Sequence, residues 1–429
     1  MAGWLMSDSV AFPGLGQKPH VTVVGAGIVG VCCAINLIRE GFSVTIIDKE
    51  GVASGASSGN AGAISPGSCI PLSEPGGFKK VPKWLFHQDG PLVIQPTYAL
   101  QVLPWLIRFL KAGTRKQFEH ASTALHRLHS LTYECYRPIL KFANAEHLIR
   151  KTGALTAYET AAAFESSKSG WALRASHGVT YEVLDSADIR ELVPALGEGI
   201  RHAVLQPDHG YVIDPHTLVT TLFEAACRNG ANYQPGNIVG IGEHNGHICV
   251  KFESGETLHS NYVVVAAGAA SAELLKTIQL KVPLERQRGY HLHLPDAQIQ
   301  LPLPVSFAIG KFYATPMQTG VRLAGTVEFA RKSAPPNYAR ADALARLASR
   351  WLPGLKTEGA SRWMGNRPCT PDSLPVIGAA PQNPKILFAF GHGHNGMTSA
   401  STTSRIIADL AANRPPCVDI SPYQIDRFL

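Results

Sequence analysis

Three stretches of this sequence carry residue types and spacings that can do chemistry. Gly25-Ala26-Gly27-Ile28-Val29-Gly30 is a G-x-G-x-x-G turn, and Asp48, with Lys49 beside it, follows about twenty residues later. In such a turn Gly25 permits the tight bend, Gly27 lets a pyrophosphate approach the backbone, and Gly30 lets a helix pack closely on a strand. The helix N-terminus holds the phosphate charge, and the acid binds ribose hydroxyls. The second stretch, Ser54 to Gly67 (SGASSGNAGAISPG), is small, polar and rich in free backbone N–H groups. A nicotinamide-binding domain would run on into another helix and strand here; this stretch instead suits a flat ring system, which favours a flavin. The third, Phe388 to Ser401 (FAFGHGHNGMTSAS), sets two histidines between glycines. Its spacing admits a metal pair, a catalytic base or a backbone bend.

The elements that carry these residues narrow the choice. His20 to Val24 reads as a buried strand, Ile28 to Glu40 as a helix stopped by Gly41, and Ser43 to Ile47 as a second strand. The first turn thus follows a strand and opens a helix, the context that dinucleotide binding needs. Near the C-terminus, Ile386 to Phe390 reads as a buried strand and Thr398 to Leu410 as a helix. Gly391, His392, Gly393, Asn395, Gly396 and Met397 therefore form a second strand-to-helix turn, which mirrors the first and favours the bend. Its glycines let backbone approach a flavin, and the helix N-terminus faces the ring edge where reduction builds charge. Between the two ends, Tyr98 to Lys111, Lys116 to Asn144, Pro215 to Gly230 and Ala339 to Trp351 read as helices. Lys151 to Tyr158, Asn237 to Ile241, His247 to Phe252 and Tyr262 to Ala266 read as strands, and Val282 to Leu294 with Phe307 to Val327 as an antiparallel sheet.

The implied fold class is α/β: a Rossmann-like domain assembled from discontinuous segments, with an inserted α+β mixed-sheet domain. The expected boundaries are a flexible extension over 1–19, a dinucleotide domain over 20–75, 200–281 and 359–429, and a substrate domain over 76–199 and 282–358. Two rival chemistries are weaker. Gly55-Ala56-Ser57-Ser58-Gly59 matches the G-x-S-x-G nucleophile elbow, but no helix follows Ser57. His291, His293, His392 and His394 lack a carboxylate or cysteine at supporting spacing, so no metal is expected.

Composition sets the outer bounds. The 429 residues, 45% hydrophobic and 17% charged, suit a globular protein of two or three domain-sized units. A net charge of +7 is spread along the chain without a basic tract, so no nucleic-acid partner is expected. That balance suits a small anionic ligand or an anionic membrane surface. The 8 cysteines form no C-x-x-C pair, which points to a reducing, cytoplasmic setting. No signal peptide is expected. Val21 to Ile38 has no charge, but its glycines and β-branched start read as strand, turn and helix rather than a membrane span.

VTVVGAGIVG (21–30), SSGNAGAISPG (57–67), VVVAAGAAS (263–271), RQRGY (286–290), NRPCTPDSLPVIG (366–378) and GHGHNG (391–396) occur in an order that spans nearly the whole chain. In these stretches the sequence resembles the FAD-dependent amine oxidoreductases of the D-amino-acid oxidase and glycine/sarcosine oxidase superfamily. Within that group it looks most like the bacterial D-amino-acid dehydrogenases. The resemblance implies that Ser57, Asn60, Ala61, Gly62 and Ile64 run past the flavin. It also implies that Val239 meets the adenine through its backbone, and that Ala267 and Gly268 close a turn at the cofactor. In glycine oxidase-like members the arginine of the R-P-x-T stretch pairs with the substrate carboxylate; that position is Arg367. A planar, permanently charged fork suits this task, and the competing reading is a structural ion pair with Asp372. Sarcosine oxidase-like members carry a cysteine that bonds the flavin where this chain has Gly365, so non-covalent FAD is expected.

The chemistry implied is removal of a hydride from the α-carbon of a D-amino acid or a cyclic imino acid such as D-proline or D-hydroxyproline. The flavin does this at N5, so no protein nucleophile or strong base is needed. Tyr290 is expected as a second carboxylate contact, with Tyr313 and His394 as further substrate contacts. Resemblance favours a quinone or dye as acceptor, with oxygen use or action only within a complex as alternatives. Tyr98 to Arg115, with Trp105 and Phe109 and flanking Lys111, Arg115 and Lys116, suggests peripheral contact with the inner membrane. The sequence does not set an oligomeric state.

Overall fold

The computed structural model describes residues 18–77, 90 and 92–429. The expected flexible extension lies almost wholly outside the described residues. The opening unit forms as its spacing predicts: parallel strands His20–Val24 and Ser43–Asp48 are joined by the helix Ile28–Arg39. They belong to a six-stranded sheet, ordered Asn232–Pro235, Ser43–Asp48, His20–Val24, Tyr262–Val265, Asn383–Phe390 and Val376–Ala380. All neighbours are parallel except the last pair. The strands are apolar on both faces because both faces are covered. Val21, Val23, Val44, Ile46 and Val264 meet the helices of one face, while Val24, Ile47, Val263 and Val265 pack in a separate core with Ile241, Ile248 and Val250.

The opening helix lies against the closing helix, Gly396–Ala411. The closing helix is enclosed despite a run of hydroxyl residues. Ser399, Ser401, Thr402, Thr403 and Ser404 are all buried, their short side chains allowing close approach. Several return their hydroxyls to carbonyls, Ser399 to Asn395 O at 2.7 Å and Ser401 to Thr132 O at 2.9 Å. Ser404 donates to Ser401 O at 2.7 Å and also accepts from Asn36 of the opening helix at 2.9 Å.

A nine-stranded mixed sheet forms the second layer. Its order is Ser361–Cys369, Glu285–Leu294, Gly320–Phe329, Phe312–Met317, Val305–Phe307, Ala154–Tyr158, His202–Gln206 and Glu182–Leu184, with Leu92–Ile94 pairing beside Gly320–Phe329. One face is sealed by the helix Ala339–Ala348, over Leu292, Leu294 and Leu323. Sheet membership moves the expected boundaries. His202–Gln206 and Ser361–Cys369, expected in the dinucleotide domain, are strands of the mixed sheet. The helix expected over 116–144 is two, Arg115–Ser130 and Thr132–Ala143, parted at Leu131. Both bury residues in the core of the opening helix rather than in the substrate domain. The helix Ala161–Ser176 was not anticipated, because only Trp171 is fully buried and no apolar stripe marks it.

Gly30 limits how closely strand and helix can approach. A Cβ there would fall 1.9 Å from Gly25 O, a backbone atom with no freedom to step aside. At Gly41, φ +90°, a Cβ meets nothing within 4 Å. Gly30→Ala should therefore lower the thermal midpoint by an overpacking cost of about 1–3 kcal/mol and weaken flavin retention. Gly41→Ala should cost roughly 1 kcal/mol of backbone strain and leave the flavin bound. Thermal unfolding and the flavin-to-protein absorbance ratio check both.

Candidate active site

The dinucleotide turn is shaped by what cannot fit in it. Gly25 has φ +119°, and a Cβ on it would lie 2.3 Å from Ala266 O, where the strand Tyr262–Val265 runs into Ala267 and Gly268. The opening helix has no side-chain N-cap and no acid in its first turn. Its positive end is thus left for an anion. Ser57 stands there, accepting from Ile28 N–H at 3.0 Å and keeping its own O–H to donate. Asp48 accepts from Ala26 N–H at 2.8 Å through one oxygen and from Glu50 N–H at 2.8 Å and Gly51 N–H at 3.2 Å through the other. Of roughly four lone-pair sites on a carboxylate, one stays open to a hydroxyl donor. Lys49 points its ammonium to Glu50, 3.1 Å away. Val239 sits at a bulge between Ile238 and Gly240, so its backbone groups are released from the ladder. A glycine cradle, an uncapped helix end, a spare carboxylate site and a released backbone fit the diphosphate, ribose and base of FAD.

The segment beyond Ser57 is pinned from the mixed sheet. Arg322 donates to Asn60 O at 2.7 Å and Ser58 O at 3.2 Å, and His291 Nδ1–H donates to Gly59 O at 3.0 Å. Asn60 caps the bend by accepting from Gly62 N–H at 2.8 Å; Ala61 lies between them, and Ile64 is fully buried. A Cβ on Gly62, φ +77°, would sit 2.9 Å from Val212 O. Opposite, the second glycine turn comes in with Gly391 at φ +83° and Gly393 at φ +56°. Gly393 N–H donates to Pro368 O at 2.9 Å, which ties this turn to the strand that holds Arg367. The closing helix, with Asn395 at its N-cap, again has no side-chain cap and no acid in its first turn. Neither of the two helices is thus capped by its own N-cap side chain. A small cavity beside the second turn is lined by Leu72, Cys369, Thr370, Ser373 and residues 391–395.

Arg367 lies on the cleft face of the mixed sheet. Its guanidinium covers Gly289 and donates to Thr326 O at 2.9 Å and Gly325 O at 3.4 Å. Among the described residues no carboxylate pairs with it, and burial lowers its pKa. Asp372, the competing partner, is held by Arg427 at 2.8 Å instead. Arg367 is therefore a cation answered only by carbonyl dipoles, with N–H donors to spare.

Strand alternation sorts the other candidates. Tyr313, Ala324, His291 and Trp363 are successive cross-strand partners and share the face of Arg367. Tyr290 is on the opposite face, which corrects its expected role. Its hydroxyl donates to Glu328 and accepts from Asn337 N–H at 3.0 Å, and the side chain is 1% exposed. Burial first, then the Glu328 contact, pushes its pKa up to about 12. His394 lines the small cavity and remains exposed; desolvation first, and then the Arg367 cation, push its pKa down to about 4. His392 is buried against Thr403 at 3.0 Å, and burial holds its pKa near about 3. Among the described residues no three histidine, cysteine or carboxylate side chains gather as a metal site. His291, Arg322 and Trp363 were missed as functional residues, because only the pairing of distant strands puts them opposite residues 58–60.

Known proteins agree with this geometry. The sequence profile of the family described as FAD dependent oxidoreductase (DAO) matches residues 20–410. A D-amino-acid oxidase of Bradyrhizobium diazoefficiens is 35% identical over 418 residues, 96% of this chain and 99% of the relative. The chain belongs to the FAD-dependent oxidoreductase family. Among solved structures, glycine oxidase from Geobacillus kaustophilus has a TM-score of 0.74 at 20% identity, covering 96% of this chain and all of that one (100%). L-proline dehydrogenase from P. horikoshii has a TM-score of 0.73 at 20% identity, covering 96% and 98%. The protein is an FAD-dependent oxidoreductase acting on amino acids, with the Rossmann-like fold of that family.

Two buried imidazoles, His392 and His291, are each held near about 3, below the ordinary value of 6.5, by desolvation. As pH falls below 6.5 the unfolded chain binds protons that the folded chain refuses, so stability is full above that value and is lost toward the folded pKa. His392→Gln should remove about 1.4 kcal/mol per pH unit from the dependence between pH 6 and 4 (roughly one proton's worth). Denaturant unfolding at stepped pH measures the slope.

Proposed function

We propose that this enzyme oxidises D-amino acids or compact cyclic imino acids such as D-proline or D-hydroxyproline. The observation that carries the reading is Arg367, a cation in the cleft with carbonyl partners and no anion. A substrate carboxylate supplies that anion and accepts two parallel N–H bonds from the guanidinium fork. Held so, the α-carbon is fixed relative to residues 58–62 on one side and the glycine turn 391–396 on the other. Residues 25–30, Asp48 and residues 57–64 would hold FAD, which would supply the hydride-accepting chemistry. The uncapped ends of the opening and closing helices stabilise negative charge on the diphosphate and on the reduced cofactor. His394, neutral above about pH 4, adds no competing cation beside Arg367 and can accept a hydrogen bond from the substrate amine. Tyr313 is a further contact on the same face. The oxidised product is an imine; water converts an acyclic one to an oxo acid and ammonia, whereas the nitrogen of a cyclic one stays in the product. The D configuration is supported by the name of the 35% identical relative.

The flavin is proposed to be non-covalent. At Gly365 a Cβ would lie 2.0 Å from the Trp363 ring, so that position has no room for a cysteine. Cys369 is buried, and burial pushes its thiol up to about 12, which leaves no reactive thiolate. Arg367→Ala should stay yellow and flavin-loaded while kcat/KM falls at least about 100-fold, with Arg367→Lys intermediate. Wild-type kinetics in Arg367→Ala would remove the assignment.

A specific surface favours a membrane-borne acceptor such as a quinone over oxygen. The helix Ala99–Ala112 exposes Leu100 (85%), Leu103 (47%), Ile107 (46%) and Leu110 (50%) along one side. No acid occurs from Pro96 to Phe118, while Arg108, Lys111, Arg115 and Lys116 do. Trp105 and Phe109, expected on that outer side, instead stack on each other at 5.3 Å, and Trp105 is buried with its N–H on Cys369 O. Among the described residues no helix is long and apolar enough to cross a membrane, so contact would be in-plane. The holoenzyme should sediment with vesicles containing anionic lipid and reduce a vesicle-borne quinone faster than oxygen. Leu103→Glu with Ile107→Glu should abolish sedimentation and leave dye reduction intact. Equal recovery without vesicles, or faster turnover with oxygen, favours the oxidase reading.

A further inference from the structure

Two glycines face each other across the strands that carry the cleft. Gly289 of Glu285–Leu294 is the register partner of Gly365 of Ser361–Cys369. The missing side chains leave a bare patch on the sheet, and two large neighbours lie down on it. A Cβ on Gly289 would be 2.2 Å from the guanidinium carbon of Arg367, and one on Gly365 would be 2.0 Å from Cη2 of Trp363. Opposed Cβ positions are about 4.5–5.5 Å apart. The carboxylate-binding fork and the indole edge are therefore neighbours on a floor that only glycine can supply.

The indole is also immobile. On its far side a Cβ at Gly59 would fall 2.2 Å from Trp363 Cδ2, so the ring is sandwiched between the loop and the sheet. His291 stacks on it with centroids 5.1 Å apart and planes 14° from parallel, and His291 is itself anchored to Gly59 O. A ring wedged between two glycine backbones and a stacked imidazole has little room for another rotamer. It has little room to step aside for a larger ligand, and it is half-buried on the sheet face that it shares with Arg367.

We propose that Trp363 sets the size limit of the substrate side chain. A substrate anchored through its carboxylate on Arg367 presents its α-substituent to the indole edge. Compact aliphatic side chains and five-membered rings fit; aromatic and long branched side chains collide with a wall that does not yield. The proposal rests on the carboxylate reading of Arg367 and adds a specificity-determining residue that touches substrate.

The test uses flavin-loaded enzyme with wild-type residues, Trp363→Ala and Trp363→Phe. Steady-state kcat/KM is measured for D-alanine, D-proline, D-leucine and D-phenylalanine. Independently, Kd for propionate and phenylacetate is read from perturbation of the flavin spectrum. The expected result is a rise of at least tenfold in the D-phenylalanine to D-alanine ratio in Trp363→Ala, and a matching gain for phenylacetate over propionate. Should Trp363→Ala lose flavin, Trp363→Phe, which keeps the stack on His291, is expected to show a smaller shift in the same direction. Unchanged ratios in a flavin-loaded variant overturn the proposal, and so does flavin loss in both variants, since Trp363 then serves only to hold the loop. If wild type and both variants oxidise none of the panel and bind neither carboxylate, the Arg367 reading fails and the proposal with it. Oxidation of the compact members with no shift in the variants removes the size limit alone.

Discussion

The seam between residues 58–60 and the mixed sheet is the contact on which the cleft depends. Three successive carbonyls, of Ser58, Gly59 and Asn60, point away from their own domain and are taken up by Arg322 and His291. A buried guanidinium is expensive, and burial pulls Arg322 down to about 10, with the Asp214 carboxylate opposing the shift. The carbonyls offset part of that cost, and they are themselves satisfied only by these donors. Each side of the seam thus needs the other. The result is a fixed distance between residues 58–60 and the strands that carry Arg367 and Trp363.

Small residues at both ends of the chain make that distance short. Gly25 and Gly30 let the opening helix sit directly on the sheet, and the hydroxyl-rich closing helix lies beside it with Asn36 on Ser404. Neither helix is capped by its own N-cap side chain or has an acid in its first turn, and the opening one is met only by the Ser57 hydroxyl on Ile28 N–H. In an isolated helix that would be a defect. Here it leaves two positive helix ends able to meet negative charge, which suits a polyanionic cofactor and a reducible ring.

Much of this was legible beforehand because it is local. The opening strand, turn and helix follow from apolar runs, glycine spacing and a helix stop at Gly41, all read within about thirty residues. The glycine turn at 391–396 was legible for the same reason. Tyr290 shows where such reading ends. It follows Gly289 directly and looked like a neighbour of Arg367, but alternation turns it to the other face, where Glu328 and Asn337 occupy its hydroxyl. The strand Ser361–Cys369 falls in a stretch expected in the dinucleotide domain and not read as a strand, since its partners start seventy-odd residues upstream and pairing across that span leaves no local mark. The helix Ala161–Ser176 escaped notice because it buries so little.

By itself the sequence determined the dinucleotide turn, the second glycine turn, the α/β class and the identity of Arg367 as the cation to watch. These depend on backbone freedom and on charge, which are properties of residue type and short-range spacing. Only the tertiary structure decided which residues stand opposite one another: Gly289 beneath Arg367, Gly365 and Gly59 around Trp363, Arg322 and His291 on the carbonyls of residues 58–60. The reason is register. A strand alternates its side chains every residue, so a bulge such as the one at Gly289 reassigns faces, and the choice is made by the burial of both sheets at once.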